Sequence, residues 1–242
     1  MARRYVLIIP ALNEAANIGE LLRQIPRGLF SQVFVVDNGS TDETASMARA
    51  AGAEVVLEPR RGYGQACLAG LAAAGPDTSA VAFMDADLSD DPADLHRLVK
   101  RLEEGRLDLV IGSRILGNPE AGSLTPLQRF GNWLTTRLIR WIWDVSFTDL
   151  GPMRIISHEA LERLSLTDRN FGWNVEMQAK AAHIRLGVAE IPVRYRKRLS
   201  GKSKISGTLI QSVQAGFKIL WTVYRCWRGA PKGEKTPAPI GV

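Results

Sequence analysis

The sequence predicts an α/β fold with a mostly parallel sheet flanked by helices. Three observations predict it. Short apolar runs of strand length recur up to Gly112, helix-length stretches separate them, and polar residues gather just after the strands. Strands joined by helices form βαβ units and pair in parallel. Ligands bind such sheets beyond the carboxyl ends of the strands.

Tyr5–Pro10 (YVLIIP) is an apolar run too short for a helix and reads as a buried strand. A helix follows through Ile18–Ile25, then a second strand, Gln32–Asp37. Ser40-Thr-Asp-Glu43 has the spacing of a capping box and opens a helix to about Ala51. Glu54–Leu57 is a third strand, and Gly62-Tyr-Gly64 turns into an Ala-rich helix. Ala80–Asp85 is a fourth strand. Pro92 suits the first turn of a helix that Gly105 stops, and Leu107–Gly112 is a fifth strand.

The second half is less regular. A Gly/Pro-containing loop, Gly117–Pro126, precedes a helix-like stretch, Leu127–Phe147, where Trp133, Trp141 and Trp143 stand beside Arg129, Arg137 and Arg140. Met153–Ser157 and Val188–Val193 add strands around a helix from about Asn174 to Leu186. Arg194–Lys204 is a basic loop, and Thr208–Trp227 is a second long amphipathic helix. Gly229–Val242, with three prolines, reads as a disordered tail. One domain is expected over residues 1–228, divided into a nucleotide-binding half (1–115) and an acceptor half (116–228).

Composition narrows the class. The 242 residues hold two cysteines, Cys67 and Cys226, far apart and not in metal-ligand spacing, which fits a reducing compartment. The N-terminus lacks the apolar stretch of a signal peptide. The net charge is +6, but Arg194–Val242 carries eleven Lys/Arg against one acid, so the basic end calls for an anionic partner. Nucleic acid, phospholipid and a phosphorylated substrate all satisfy that charge. No RNP-like aromatic motif or zinc-finger spacing supports nucleic acid.

Asp85 and Asp87, two apart at a strand end, can project to one side and hold a hard divalent cation; alternatively they belong to a solvated acidic loop with Asp90 and Asp91. Asp37 either accepts from base or ribose donors or organises its turn. Glu14, after Asn13, either accepts from ribose hydroxyls or favours the N-terminus of the next helix. No G-x-G-x-x-G follows the first strand, which disfavours a dehydrogenase. A nucleotidyltransferase needs a Gly-rich basic loop there, and Ala11–Ile18 has none.

Together these segments resemble the family-2 glycosyltransferases. P-x-x-N-E from Pro10, V-V-D-N-G-S-T-D through Asp37, G-x-G-x-A at Gly62–Ala66 and D-A-D-L from Asp85 stand in the family's order. Gly112-Ser-Arg114, Thr148-Asp149-Leu-Gly151 and Gly201-Lys-Ser-Lys204 extend the likeness over residues 4–225, nearest to the dolichol-phosphate mannose synthase group. The resemblance implies a GT-A nucleotide-sugar-binding fold and metal-dependent, inverting hexosyl transfer. It implies Pro10, Asn13, Glu14, Asp37 and Gly64 around the donor nucleotide, with Asp85 and Asp87 on Mg²⁺ or Mn²⁺ and the diphosphate. It implies Arg198 and Lys204 as a clamp within a mobile lid, and Arg114, Arg129, Asn132 and Ser203 toward the acceptor. Glu176 matches an acidic helix position of the family.

The implied acceptor is a polyprenyl (dolichyl-type) phosphate; a hydroxyl acceptor is the alternative and would need a base, for which Asp149 is the candidate unless it is a turn carboxylate. Asp87, Arg114 and Asp149 form the expected catalytic set. Three positions depart from the family: Asn38 for an Asp, Ser89 for a Gln, and Gly151-Pro-Met for S-G-F. A nucleic-acid-binding protein is the alternative of another class. The Trp- and Arg-bearing helices imply a cytoplasmic protein lying on a membrane without crossing it.

Overall fold

The structure, a computed structural model, describes residues 3–198 and 209–228, with side chains from 216 onward in the second segment. Among the described residues seven strands form one sheet: β1 (Tyr5–Ala11), β2 (Gln32–Asp37), β3 (Glu54–Leu57), β4 (Ala80–Phe83), β5 (Leu109–Ser113), β6 (Arg154–Ser157) and β7 (Val188–Pro192). Their order is β3-β2-β1-β4-β6-β5-β7. All pairings are parallel except those of β6, which runs antiparallel between β4 and β5.

The helices are α1 (Ala15–Gln24), α2 (Thr44–Ala50), α3 (Tyr63–Ala74), α4 (Asp94–Glu104), α5 (Pro126–Trp143), α6 (His158–Leu164), α7 (Trp173–His183) and α8 (Leu209–Arg228). Alternate residues of β1 face opposite sides of the sheet. Val6 and Ile8 join a core with Phe83, Ile139 and Trp173, while Leu7 and Ile9 join Leu21, Ala48 and Leu98. Both faces of β1 are therefore covered, which explains its unbroken apolar run.

The expected strands are present with shifted ends. β4 stops at Phe83, so Asp85 and Asp87 stand on the loop beyond it. The Ser40–Glu43 capping box does not form. Ser40 Oγ accepts instead from the Asn13 N–H at 2.9 Å, and Asp42 Oδ1 accepts from Thr44 N–H ahead of α2. The capping box is at α5, where Thr125 and Gln128 satisfy each other's backbone N–H groups and Pro126 opens the helix. The short α6 was not expected; Ser157 Oγ caps it by accepting from Ala160 N–H.

The two long helices turn aromatic rings outward. On α5, Phe130, Trp133 and Trp141 are exposed, while Thr135, Thr136 and Ile139 are buried. On α8, Phe217, Trp221, Tyr224 and Trp227 are exposed, while Thr222 and Val223 are buried. Among the described residues no helix is long and apolar enough to cross a membrane. The expected tail, Gly229–Val242, lies outside the described residues.

Candidate functional site

A cavity of about 350 Å³ opens where β1, β2 and β4 end. Its walls are Pro10–Leu12 and Glu14 after β1, Asn38 after β2, Arg61–Tyr63 at the start of α3, Asp85–Asp87 after β4, Asn170 and Phe171 before α7, and Arg198. The sheet places it at the carboxyl ends of its strands, where crossovers diverge.

The acids of the Asp85–Asp91 loop lie in unlike surroundings. Burial, then the neighbouring Asp87 carboxylate, pushes the Asp85 carboxyl up to about 7. Asp87 accepts from Ser89 N–H at 2.9 Å and pairs with Arg198 Nη2 at 2.6 Å. Both carboxylate oxygens of Asp90 are buried without a hydrogen-bond partner among the described residues. Burial and then Asp85 push the Asp90 carboxyl well up. The Tyr63 hydroxyl is buried beside Asp85, and burial, then the Asp85 charge, pushes its pKa well up.

Three carboxylates (Glu14, Asp85, Asp87) and two guanidiniums (Arg61, Arg198) line the cavity. A divalent cation between Asp85 and Asp87 would relieve the repulsion that helps to raise the Asp85 carboxyl. Among the described residues no three His, Cys, Asp or Glu side chains converge as a closed metal cage. Asp85 and Asp87, both on the cavity wall, are the carboxylates that could hold Mg²⁺ or Mn²⁺ in an open site with positions for phosphate oxygens and water.

The chain after β7 supplies the opposite charge. Residues 194–196 lie antiparallel to the acidic loop: Asp91 N–H donates to Arg194 O, Arg196 N–H to Ser89 O, and Tyr195 bridges Asp90. Asp91 pairs with Arg196 at 2.7 Å and with Arg194 at 3.4 Å. Arg198 is thereby delivered to Asp87 and to Glu14, 3.3 Å away. The expected lid is anchored over its first residues. Ser203 and Lys204 lie outside the described residues, as does the rest of that loop.

Four expected nucleotide residues have structural contacts as well. Asn13 takes a left-handed φ of 51° and accepts from Thr41 N–H, joining the loops after β1 and β2. Asp37 Oδ1 accepts from Ser40 N–H at 2.8 Å, the turn role open to it. Glu14 Oε2 accepts from Asn17 Nδ2 at 2.7 Å. Gly64 does not line the cavity. It lies within the first turn of α3, where a Cβ would collide with the Asp168 carbonyl. Gly62 lines the cavity, at a φ of 148° and against the Arg169 carbonyl.

Asn38 has a role that Asp could not fill. Its amide donates to Glu58 O at 3.0 Å and Arg60 O at 2.8 Å and accepts from Gly62 N–H at 2.7 Å. A carboxylate has no N–H to donate.

The expected acceptor residues divide. Arg114 is pinned to the buried Asp149 through Nε at 2.7 Å, Nη2 at 2.8 Å and its backbone N–H at 2.8 Å. Burial works against its charge, but the Asp149 carboxylate holds the Arg114 pKa above its usual value. Asp149 also accepts from Leu150 N–H, so its contacts are those of a turn carboxylate rather than of an exposed base. Asn132 donates to Thr148 O and accepts from Leu150 N–H in the same turn. Glu190 accepts from the N–H groups of Thr148 and Asp149. Arg154, fully buried on β6, donates to Gly151 O and Gln178 Oε1, and burial lowers its pKa to about 10. Arg129 is exposed on the first turn of α5.

Sequence reading missed Asp90, Asp91 and Arg154. The acidic run Asp87–Asp91 was the available signal, but a run of acids alone does not say which of them are buried. Arg154 left no signal, being a single charge in an apolar strand.

The family description "Glycosyl transferase family 2" matches residues 6–165. An uncharacterized glycosyltransferase of Mycobacterium tuberculosis is 41% identical over 210 residues, 86% of this chain and 93% of its own. A dolichyl-phosphate hexose transferase of Haloferax volcanii is 30% identical over 201 residues, 82% of this chain and 85% of its own. The fold is similar to a crystal structure of glucosyl-3-phosphoglycerate synthase from M. tuberculosis in complex with Mn²⁺, UDP and phosphoglyceric acid. That likeness has a TM-score of 0.75 at 24% identity, covering 96% of this chain and 80% of the other.

Proposed function

The chain belongs to glycosyl transferase family 2, and we propose that it moves a hexose, with inversion, from a nucleotide-diphosphate sugar to a polyprenyl-type phosphate at a membrane surface. One observation carries the reading: the cavity beyond β1, β2 and β4 ends on Asp85 and Asp87, two neighbouring carboxylates whose mutual repulsion a divalent cation would relieve.

Asp85 and Asp87 would hold Mg²⁺ or Mn²⁺, which would stabilise the charge developing on the leaving diphosphate. Pro10, Glu14 and the loop held by Asp37 and Asn38 would seat the nucleoside. Arg198, paired with Asp87 and Glu14, would exchange those carboxylates for diphosphate oxygens, a match for a planar guanidinium. The M. tuberculosis synthase, crystallised with Mn²⁺ and UDP, supports this donor arrangement.

A phosphate acceptor is already anionic and needs no strong base. That agrees with Asp149, whose carboxylate is held by Arg114. The H. volcanii relative supports the same acceptor by its name. In this reading Arg114 braces the Asp149 turn, and Arg129 meets the lipid phosphate. A hydroxyl acceptor is the second reading, and Asp90 is the observation that favours it. Its buried, unpartnered carboxylate could take the proton that Asp149 is not placed to take.

The membrane surface is read from α5 and α8. Their exposed Trp133, Trp141, Trp221 and Trp227 stand among Arg129, Arg137, Arg140 and Arg228. Tryptophan favours the headgroup level, and each cation near anionic lipid is worth about 1 kcal/mol. The buried or half-buried free thiols of Cys67 and Cys226 agree with the cytoplasmic side.

The test is a melting screen with UDP and GDP sugars, with and without Mg²⁺ or Mn²⁺, followed by transfer to a short-chain polyprenyl phosphate. Metal-dependent stabilisation and lipid-linked product are expected. Stabilisation by no nucleotide would refute the donor site; product on a hydroxyl acceptor alone would transfer the argument to Asp90.

A further inference from the structure

Two buried acids outside the Asp85–Asp91 loop are met by two cations from α8. Asp168 and Glu176 are each 1% exposed. Lys218 Nζ lies 2.9 Å from Asp168 Oδ2, and Arg225 Nη2 lies 3.2 Å from Glu176 Oε1 and 3.8 Å from Asp168 Oδ2. No other basic side chain among the described residues reaches Asp168; Lys180 helps at Glu176, 3.0 Å away.

The same two acids shape the segment between α6 and α7. Glu176 accepts from the N–H groups of Thr167 and Asp168, and Asp168 accepts from those of Asn170 and Gly172. At the crest of that turn the Arg169 carbonyl accepts from Gln65 N–H at 2.9 Å, in the first turn of α3. Gly62 and Gly64 allow the two backbones to meet, because a Cβ at either would collide with the Asp168–Arg169 carbonyls. The next two residues, Asn170 and Phe171, are cavity wall. A continuous path of bonds thus runs from α8 to the donor cavity.

We propose that α8 is a positioning element of the donor site. Lys218 and Arg225 hold Asp168 and Glu176, and those acids hold the Arg169–Gly172 wall and the start of α3. The idea rests on the cavity being a nucleotide site. It goes further in making donor affinity depend on a helix whose other face carries the exposed Phe217, Trp221, Tyr224 and Trp227. Whatever covers those rings bears on the same helix that braces the cavity. Buried carboxylates that lose their counter-charges seek water or protons, so the turn they shape should loosen when the cations go.

The experiment compares the full-length chain with Lys218→Ala/Arg225→Ala, with the charge-keeping Lys218→Arg, and with Lys100→Ala, an exposed α4 cation paired with Glu104 instead. Hydrogen exchange is read at the amides of Gln65, Asn170 and Gly172 without ligand. Binding of UDP or GDP with Mn²⁺ is then measured by calorimetry, and the donor KM and kcat where turnover is found. The double variant should exchange faster at those three amides and bind nucleotide about fivefold or more weakly, raising KM with kcat kept. Lys218→Arg and Lys100→Ala should behave as wild type. Unchanged exchange, or faster exchange with unchanged nucleotide affinity, would overturn the proposal. A wild-type chain that binds neither nucleotide refutes the donor reading, and the exchange data then decide the bracing alone. If the double variant melts globally, Lys218→Ala by itself serves, and the same two results decide.

Discussion

Two loops of this molecule bury carboxylates within the same electrostatic neighbourhood, and they do so in opposite ways. In the 148–151 turn the Asp149 carboxylate is matched by Arg114 and by backbone N–H groups, and Glu190 and Asn132 complete the pattern. In the 85–91 loop Asp85 keeps its proton to about pH 7, Asp90 has no partner among the described residues, and Asp87 is met by a side chain from a distant segment. The contrast is the basis for the proposed division between scaffold and site. A satisfied buried carboxylate stabilises the fold; an unsatisfied one is retained at a cost in stability and points to a ligand.

Substitution at Asp87 and at Asp149 separates the two loops most sharply. Asp87→Ala is expected to lower transfer about a thousandfold, ~4 kcal/mol in the barrier, with the unfolding midpoint held or raised. Asp149→Ala should instead destabilise the fold by about 3 kcal/mol, because Arg114 is left buried and unpaired. Calorimetric unfolding beside initial rates distinguishes them. A stable but inactive Asp149→Ala would return that residue to the chemistry.

Proton competition sharpens the comparison next. Asp85 has a raised pKa, so its contribution to stability is present at low pH and is lost as pH rises through about 7. Without metal, Asp85→Asn should therefore stabilise more at pH 8 than at pH 5, by about 2 kcal/mol. Mn²⁺ must displace that proton, so affinity should fall about tenfold per pH unit below 7. Titrations at pH 5.5, 6.5 and 7.5 that give one affinity would remove Asp85 from the metal.

A smaller effect is expected at Asn38. Asn38→Asp removes both donors to the Glu58–Arg60 backbone and should weaken UDP binding about tenfold, ~1.4 kcal/mol. Unchanged binding would mean that the loop holds itself. The least effect on the fold is expected at the outer rings. Trp221→Ala/Trp227→Ala should change stability by no more than ~0.5 kcal/mol yet abolish sedimentation with anionic vesicles at low salt. Wild-type protein that stays in solution with those vesicles would end the membrane reading.

Much of the donor half was legible because its signals are local. A strand that is buried on both faces announces itself as an unbroken apolar run, as YVLIIP does, and glycines mark the turns between strands. The pairing of Asp85 with Asp87 follows from their spacing. The false capping box at Ser40 marks where local reading stops. The residue types and spacing were right, but Asn13 N–H, brought from another loop, took the Ser40 hydroxyl. Gly64 likewise was expected beside the donor nucleotide, and its requirement comes from the Asp168 carbonyl of a segment a hundred residues away.

From its amino-acid order the chain determines seven strands, most of its helices, the acidic pair after the fourth strand and a basic stretch after the seventh. These depend on periodicity, backbone preference and charge, which a residue carries wherever it is. The pairing of charges was settled by folding. Arg198 reaches Asp87, Arg114 closes on Asp149, and Lys218 and Arg225 brace Asp168 and Glu176, because the sheet order sets segments side by side that are far apart in sequence. Whether a carboxylate is scaffold or site depends on how many donors surround it once water is excluded, and that number exists only in three dimensions.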